Sequence, residues 1–417
     1  MEEKDSAISG PYEEFRICFC GQFRSGCVEW YLIDVSVEET CLSEKTESST
    51  RELTPFSVAK HLPSYAALGG LIYSLGGERR SYGGGDTLLN DVWLLDFKSF
   101  EDLKPGSIRP LSPSLRKPGS GKAHRGEAQV ASIPMDVDYY DVMHVGYDSL
   151  HVDSDKASPP PLEEDWKPGL PMNFARYNPH TMVVDYKLYV LGGFLPNQKQ
   201  ADGWIEVFDP EEKKWESLPS PPDQIHSSIM ISGLLKSKKE IIIAKQRWDR
   251  HPMLFYSYNI MTRCWNTLVP HESEASVHLP PDAGRAVTVG NTLYWISTEE
   301  CSHECTIRAY DLDRNMWFED HLNTATIFGR REYFTSIYSR GPGFLHLVNQ
   351  KFCLLLQSSV KKKDPQSSIE YLYCVILDIS PIYEHEHEDW GKFELTTVSV
   401  QKYSMDHYIH FLDCMLL

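Results

Sequence analysis

Short apolar runs alternate with polar stretches along most of the chain, and they recur in a fixed order. The segment YKLYVLGGFLPNQKQADGWIEVFDPEEKKWESLP, Tyr186 to Pro219, shows that order: an apolar run, a glycine pair, a second run ending on Asp, and a Trp six residues later. Alternation of apolar and polar residues over a few positions is typical of a half-buried β-strand. The segment therefore predicts three consecutive strands.

The run that ends on Asp has counterparts throughout the sequence. Six runs alternate in this way and end on Asp or Asn, at Asp34, Asp96, Asp209, Asn259, Asp311 and Asp378. An apolar run lies upstream of each, as in LIYSLGG, KLYVLGG, EIIIAK and TLYWIS, and a further one precedes it in most copies. With the Trp strand, each copy becomes a four-stranded meander of about 50 residues, a period typical of propeller blades.

Glycine pairs and tryptophans recur at matching points of these copies. The glycines after the second strand are Gly76, Gly77, Gly192 and Gly193, and the tryptophans of the fourth strand are Trp166, Trp215, Trp265, Trp317 and Trp390. In this order the residues resemble the kelch-repeat family, of the plant kelch and galactose-oxidase-like superfamily, over most of the chain. Because only two copies keep both glycines, the period supports the resemblance more than any single motif does.

We interpret these glycines and tryptophans as architectural residues. Glycine after the second strand permits positive φ and close approach where blades converge. The acidic residue that ends the third strand favours a turn, and the Trp ring is expected to be buried between neighbouring blades.

The pattern predicts an all-β fold: a single six-bladed β-propeller of four-stranded kelch-type blades over residues 12–417. The run FRICFC, Phe15 to Cys20, fits the second strand of blade one, and nothing upstream supplies a first strand. The run HYIHFLDCMLL follows the last complete blade. We therefore expect this C-terminal strand to pair beside Phe15 to Cys20 and close the ring, since closure removes exposed sheet edges.

One long interval interrupts the repeat between Asp96 and Trp166. Residues 103–161 are first rich in Pro, Gly, Ser and basic residues, and then acidic and rich in Tyr. Such a composition predicts disorder, because it offers little apolar surface to offset the entropy of ordering. We interpret residues 103–161 as an insertion within blade two, and Trp166 as the displaced Trp of that blade.

Composition limits the kinds of partner. The chain of 417 residues has a net charge of −18, which argues against broad binding to nucleic acid or anionic membranes. It begins with acidic and polar residues and has no apolar run long enough to span a membrane, so we expect neither a secretory signal nor a membrane segment. Its ten cysteines form no CxxC pair, which predicts reduced thiols and a cytoplasmic or nuclear location.

Few residues suggest an enzyme. CSHEC, Cys301 to Cys305, and the acidic run EHEHED, Glu384 to Asp389, contain metal-capable side chains, but neither completes a recognisable set of ligands. The iron triad of kelch-type specifier proteins is matched only by Asp406 and His410. We therefore expect no catalytic residue, no metal and no cofactor. A propeller enzyme or small-molecule binder that uses the central channel is the alternative.

The loops favour a protein partner. In a four-stranded meander, the loops between strands two and three share a face with the loops between blades. Basic and aromatic residues predicted on that face are Arg79, Arg80, Tyr82, Arg176, Tyr177, Arg247, Trp248, Arg250, Arg285, Arg330 and Arg331. They fit an acidic or phosphorylated peptide, although loops are commonly polar for no functional reason.

We therefore predict a non-enzymatic, monomeric scaffold that binds another protein, with no nucleic-acid or membrane partner. Many plant kelch proteins carry an N-terminal F-box and act as substrate receptors of ubiquitin ligases. The resemblance thus implies an adaptor in ubiquitin-related regulation. The first strand begins near Phe15, so we expect no F-box before it.

Overall fold

A computed structural model describes most of the predicted repeats. The described residues are 13–22, 28–37, 51–53, 57–59, 64–81, 84–96, 166–193, 203–222, 231–245, 254–268, 286–298, 304–328, 333–334, 343–361, 368–383 and 390–417. All of them belong to one compact unit, Met1–Ile108 with Glu163–Leu417. The predicted insertion, residues 103–161, lies outside the described residues.

The described residues are almost entirely β-strand. The strands before residue 170 are β1 Glu13–Gln22, β2 Val28–Val37, β3 Arg51–Leu53, β4 Ser57–Ala59, β5 Ser64–Leu68, β6 Leu71–Leu75, β7 Glu78–Ser81, β8 Gly84–Leu88, β9 Val92–Asp96 and β10 Trp166–Pro168. The next are β11 His180–Val184, β12 Lys187–Leu191, β13 Ile205–Asp209, β14 Lys214–Leu218, β15 Ile231–Leu235, β16 Glu240–Lys245, β17 Leu254–Asn259 and β18 Cys264–Leu268. The last are β19 Val287–Val289, β20 Thr292–Thr298, β21 Glu304–Asp311, β22 Met316–Asn323, β23 Tyr333–Phe334, β24 Gly343–Val348, β25 Lys351–Lys361, β26 Ser368–Ile382, β27 Trp390–Met405 and β28 His410–Leu416.

Helical structure is minimal in the described part of the chain. It contains one short 3₁₀ turn, Thr324–Thr326, after β22. None of the described residues belongs to a helix long and apolar enough to span a bilayer.

Four-stranded sheets are the repeating unit. Four separate sheets have the orders β28-β1-β2-β4, β10-β9-β6-β5, β11-β12-β13-β14 and β15-β16-β17-β18. A ten-stranded sheet contains two further meanders, β19 to β22 and β24 to β27, joined where Trp317 and Phe318 pair in parallel with Trp390 and Gly391. The prediction of an all-β, propeller-like chain is confirmed. The count of six blades stays a prediction, because the last two meanders share one sheet.

The first strands of successive meanders contact one another. β28 touches β5, β5 touches β11, β15 touches β19, β19 touches β24, and β24 touches β28. Between β11 and β15, the Nδ1 of His180 lies 2.7 Å from the Oγ of Ser232. Two hydroxyls form similar cross-sheet bonds, since Thr181 Oγ1 donates to the Tyr65 carbonyl and Thr288 Oγ1 to the Leu234 carbonyl, both at 2.7 Å. These polar side chains therefore hold neighbouring sheets together.

The tryptophans on the outer strands repeat a second cross-sheet contact. Trp215 Nε1 donates to the carbonyl of Leu170 at 2.9 Å, and Trp265 Nε1 donates to that of Pro219 at 2.6 Å. Leu170 lies four residues after Trp166, and Pro219 lies four after Trp215, so each Trp binds the end of the preceding sheet. Trp166, Trp215 and Trp317 are buried, whereas Trp265 is partly exposed. Trp215 and Trp265 therefore connect neighbouring sheets.

Trp166 occupies the position expected of a displaced blade-two Trp. β10 pairs antiparallel with β9, and Trp166 faces Leu95, which precedes Asp96. In the next sheet Trp215 faces Phe208, which precedes Asp209 in the same way. The matched register shows that β10 completes the sheet begun by β5, although some 70 residues separate it from β9.

In three of the meanders, the residue that ends the third strand shapes the following turn, whereas β2 and β26 continue beyond Asp34 and Asp378. Asp209 Oδ1 accepts hydrogen bonds from two backbone N–H groups, at 2.9 and 3.1 Å, in the turn that follows. Asn259 and Asp311 do the same in the next two meanders. Short polar side chains that accept from the backbone two and three residues ahead favour tight turns. The predicted turn-forming role of these residues is confirmed.

The C-terminal strand completes the first sheet as predicted. β28 pairs antiparallel with β1, and Ile17 faces Leu416 while Phe19 faces Cys414. The register shifts between Cys20 and Gly21, where Ile409 packs so closely that a Cβ on Gly21 would lie 2.5 Å from its Cδ1. Only glycine fits such an approach, so Gly21 helps to seat the end of the chain.

Aromatic packing buries this junction. The Phe19 ring stacks on Tyr31 at a centroid distance of 5.0 Å and on Phe411 at 6.0 Å. The same core cluster contains side chains of β25 and β26, such as Cys353 and Ile376. The C-terminal strand therefore joins the first sheet to the last meander through both hydrogen bonds and apolar contact.

Deletion of residues 407–417 should prevent stable folding. The deletion removes the partner of β1 and exposes the apolar side chains that β28 covers, and exposed edges of this kind promote aggregation. We expect loss of soluble, cooperatively melting protein, measured by size-exclusion chromatography and thermal unfolding. A truncated protein that melts like the full chain would show that β28 is dispensable.

Candidate protein-interaction face

Two of the predicted partner-binding stretches meet in the structure. The hairpin of β7 and β8 carries Arg79 and Arg80 and leaves the sheet at Gly77. Gly77 N donates to the carbonyl of Arg176 at 2.9 Å, and Arg176 N donates to the carbonyl of Leu89 at 3.0 Å. The base of the hairpin is therefore fixed against the segment that connects one sheet to the next.

The glycine pairs explain how this connection passes between two sheets. Gly76 and Gly193 have φ values of 73° and 84°, which favour glycine. A Cβ on Gly76 would overlap the carbonyl oxygen of Arg176, and one on Gly193 would lie 2.9 Å from that of Tyr177. The expected positive φ and close approach of these glycines are both confirmed.

The structure corrects the prediction made for Arg176, one of the residues expected to bind a partner. Its side chain is fully buried and forms an ion pair with the equally buried Glu206, at 2.9 Å from Nη2 to Oε1. Its guanidinium also donates to three carbonyls, those of Gly192 at 2.6 Å, Trp204 at 3.0 Å and Gly203. The prediction that Arg176 contacts a partner is wrong, because every direction of its planar group is used inside the fold.

The ion pair with Glu206 compensates the large cost of removing the Arg176 guanidinium from water. Burial lowers the pKa of the Arg176 guanidinium, and the neighbouring Glu206 carboxylate opposes that change. The second carboxylate oxygen of Glu206 accepts from the backbone N–H of Asn173 at 2.9 Å. Both buried ions are thus hydrogen-bonded as well as paired, which such burial requires.

Glu206 is the site residue that the sequence reasoning missed. It lies within the run IEVFD, where its neighbours are buried apolar residues. A carboxylate in the middle of a short buried strand needs a cationic partner, and that requirement was the available signal. The spacing of 30 residues between Arg176 and Glu206 did not reveal which cation it would be.

The structure describes only some of the other residues that were predicted to bind a partner. Tyr177 is partly exposed and follows Arg176 directly. Arg79 and Arg80 lie in β7, where the backbone is described. The others, Tyr82, Arg247, Trp248, Arg250, Arg285, Arg330 and Arg331, fall outside the described residues and stay predictions.

Comparison with known proteins identifies the repeat. Residues 175–222 match the model of the Kelch motif, a span that contains the buried Arg176–Glu206 pair, one glycine pair and Trp215. The chain contains a kelch repeat.

Its similarity extends to kelch proteins of Arabidopsis thaliana. One F-box/kelch-repeat protein is 41% identical over 236 residues, which are 56% of this chain and 52% of that one. A second is 32% identical over 111 residues, 23% and 28% of the two chains. A kelch repeat-containing protein is 50% identical over 50 residues, 12% of each. The chain thus spans about half or less of the length of these relatives, and the predicted resemblance is confirmed.

On the opposite side of the kelch sheets, charges are compensated by ion pairs. Lys239 pairs with Asp185 at 2.6 Å, Lys238 with Asp313 at 2.9 Å, and Lys187 with Asp209 at 2.7 Å. The hydrogen bond from Lys187 is the main reason that the pKa of Asp209 is lowered. Because these lysines already have carboxylate partners, their positive charge is compensated within the fold.

Several candidate chemical groups of the described sheets are buried or hydrogen-bonded. Cys305, one of the candidate metal ligands, is completely buried, and burial raises the pKa of its thiol to about 12. Within the described ranges, no group of three or more His, Cys, Asp or Glu side chains could hold a metal ion. The hydroxyls of Thr181 and Thr288 on the first strands bind backbone carbonyls of the neighbouring sheet.

Replacing Arg176 with Met should destabilise the kelch repeat strongly. The substitution leaves the buried Glu206 carboxylate without its cation, which costs about 3–5 kcal/mol in comparable buried pairs. Arg263→Met is the matched control, since the Arg263–Glu216 pair is about half exposed and worth about 0–1 kcal/mol. Urea unfolding measures both free energies, and equal losses in the two variants would contradict the proposed role of the buried pair.

Proposed function

We propose that this chain is a non-enzymatic scaffold that binds another protein through the face formed by hairpin β7–β8 and the segment around Tyr177. The observation that carries the proposal is the hydrogen-bonded junction of Gly77, Leu89 and Arg176, which holds two loops side by side. Loops positioned by a rigid framework commonly carry binding residues. The kelch-repeat relatives support an interaction role in general.

The chemistry of the predicted loops favours an acidic or phosphorylated peptide. Arg79 and Arg80 each bring a guanidinium group, which can form two parallel hydrogen bonds to a carboxylate or phosphate. Tyr177 adds a partly exposed aromatic ring beside the base of their hairpin. Arg176 contributes indirectly, since its buried ion pair fixes the backbone that carries Tyr177.

The framework is proposed to be a six-bladed propeller. Six meanders have first strands that contact one another in a cycle from β28 through β5, β11, β15, β19 and β24 back to β28, with the His180–Ser232 contact joining β11 to β15. In this interpretation the ten-stranded sheet consists of blades five and six, joined by the short parallel contact between β22 and β27. A closed ring would hold the loops in fixed relative positions.

A role in ubiquitin-related regulation is the wider form of the proposal. Two relatives, matched over 236 and 245 residues, are named F-box/kelch-repeat proteins, and this chain matches only part of each. The proposed scaffold would supply the part that recognises the partner.

Reversing the charge of Arg79 and Arg80 should weaken peptide binding. We expect the Arg79→Glu/Arg80→Glu variant of the full chain to lose most of its binding to synthetic phosphorylated and Asp/Glu-rich peptides, measured by fluorescence anisotropy. Binding by the unmodified chain should weaken as salt rises, because charge-assisted contacts at a surface are screened.

The matched control reverses Lys214, at the start of β14, and Lys236, in the turn after β15. Lys214→Glu/Lys236→Glu makes the same change in net charge at exposed positions and should leave peptide binding almost unchanged. If both variants bind as the unmodified chain does, or if binding does not respond to salt, the hairpin is not the docking site.

A further inference from the structure

A short segment before the C-terminal strand is held by side chains from other elements. His407 lies between β27 and β28, and its Nε2 is 2.6 Å from Oε2 of Glu29 on β2. The hydroxyl of Tyr31 donates to the same carboxylate oxygen at 2.6 Å. The entry to β28 is therefore tied directly to the sheet that β28 completes.

Two further contacts seat the same segment. The buried side-chain amide of Gln357 on β25 donates to the Ile409 carbonyl at 2.7 Å and accepts from its N–H at 3.2 Å, in the orientation that satisfies both groups. The missing side chain of Gly21 leaves room for the Ile409 side chain. These contacts do not titrate, whereas the His407 imidazole does.

The charged groups around His407 are mainly acidic. The hydrogen bond to Glu29 is the main cause that raises the pKa of His407, and the carboxylates of Asp406 and Glu370 act in the same direction against partial burial. Burial and the Glu29 carboxylate raise the pKa of Tyr31, so its hydroxyl stays a neutral donor. Beside the end of β27 runs β3, which carries one basic and one acidic residue, Arg51 and Glu52.

We propose that the Glu29–His407 pair is a proton-operated latch that holds the C-terminal strand in the first sheet. When His407 is protonated and positively charged, its ion pair with Glu29 stabilises the segment that leads into β28. When the proton leaves, Glu29 loses its cationic partner and the contact weakens to a hydrogen bond with the neutral imidazole, so the segment is held less firmly. The end of the chain then opens more often, while the other sheets keep their own contacts.

The direction of the pH effect follows from the raised pKa of His407. A group whose pKa is higher in the folded state stabilises that state fully below its unfolded value, about 6.5 for His. This stabilising contribution is lost as the pH rises from the unfolded pKa through the raised pKa of His407 in the folded state. Protection of β28 should therefore be greatest in mildly acidic solution and should decline on the alkaline side.

Hydrogen exchange of the full chain tests the latch. Amide protection of β28 is measured between about pH 5.5 and 9 and divided by that of β12, Lys187–Leu191, in the same sample. This ratio cancels the general effect of pH on the rate of exchange. We expect the ratio of β28 to β12 protection to fall severalfold across this range. A ratio that is constant in the unmodified chain overturns the proposal without any variant.

Three substitutions separate the latch from a merely structural role. His407→Gln should give low β28 protection at every pH, whereas His407→Lys keeps a positive charge and should restore protection with little dependence on pH. His346→Gln is the control, because His346 Nε2 bonds to a turn carbonyl, that of Asn349, and its ring packs against Phe352. The proposal fails if His407→Gln keeps the pH dependence of the unmodified chain, or if His346→Gln abolishes it.

Discussion

The antiparallel pairing of the last strand with the first is the contact on which the rest of this fold depends. Without β28, the first sheet would present one edge of β1 unpaired, together with the apolar side chains of Phe19 and Ile17. Buried backbone groups without partners are costly, so one missing strand would destabilise the neighbouring sheets as well. The fold therefore requires its two ends, which are nearly 400 residues apart in the sequence, to meet.

Contacts between neighbouring sheets come from a few repeated polar groups as well as from apolar packing. Tryptophan N–H groups bind the carbonyls that follow the preceding outer strand, and threonine hydroxyls bind the carbonyls of the preceding inner strand. Each such bond has a modest net effect on stability, but it satisfies a group that would otherwise be buried alone. They help to define the register of the junctions where they occur, which apolar contact by itself specifies less well.

The buried pair of Arg176 and Glu206 connects architecture to the proposed interaction face. A guanidinium group with no exposure cannot bind a partner, yet it sets the position of Tyr177 and of the hairpin base that carries Arg79 and Arg80. Loop arginines can thus belong to two classes, those that hold the framework, as Arg176 does, and those that bind a ligand. Sequence composition treats both classes alike, and only burial distinguishes them.

The sequence by itself determined the local structure of the repeats. The strand periodicity, the turn-forming Asp209 and Asn259, the glycine pairs and the place of the C-terminal strand were all predictable, because each depends on neighbouring residues or on a period that repeats. The role of Arg176 was not predictable, because it depends on Glu206 in a different strand and on carbonyls that only the folded chain brings together. Similarly, the contact of His407 with Glu29 joins residues 378 positions apart. Only the tertiary structure decided these pairings, since the partner of a buried charge is set by distance in space and not by spacing along the chain.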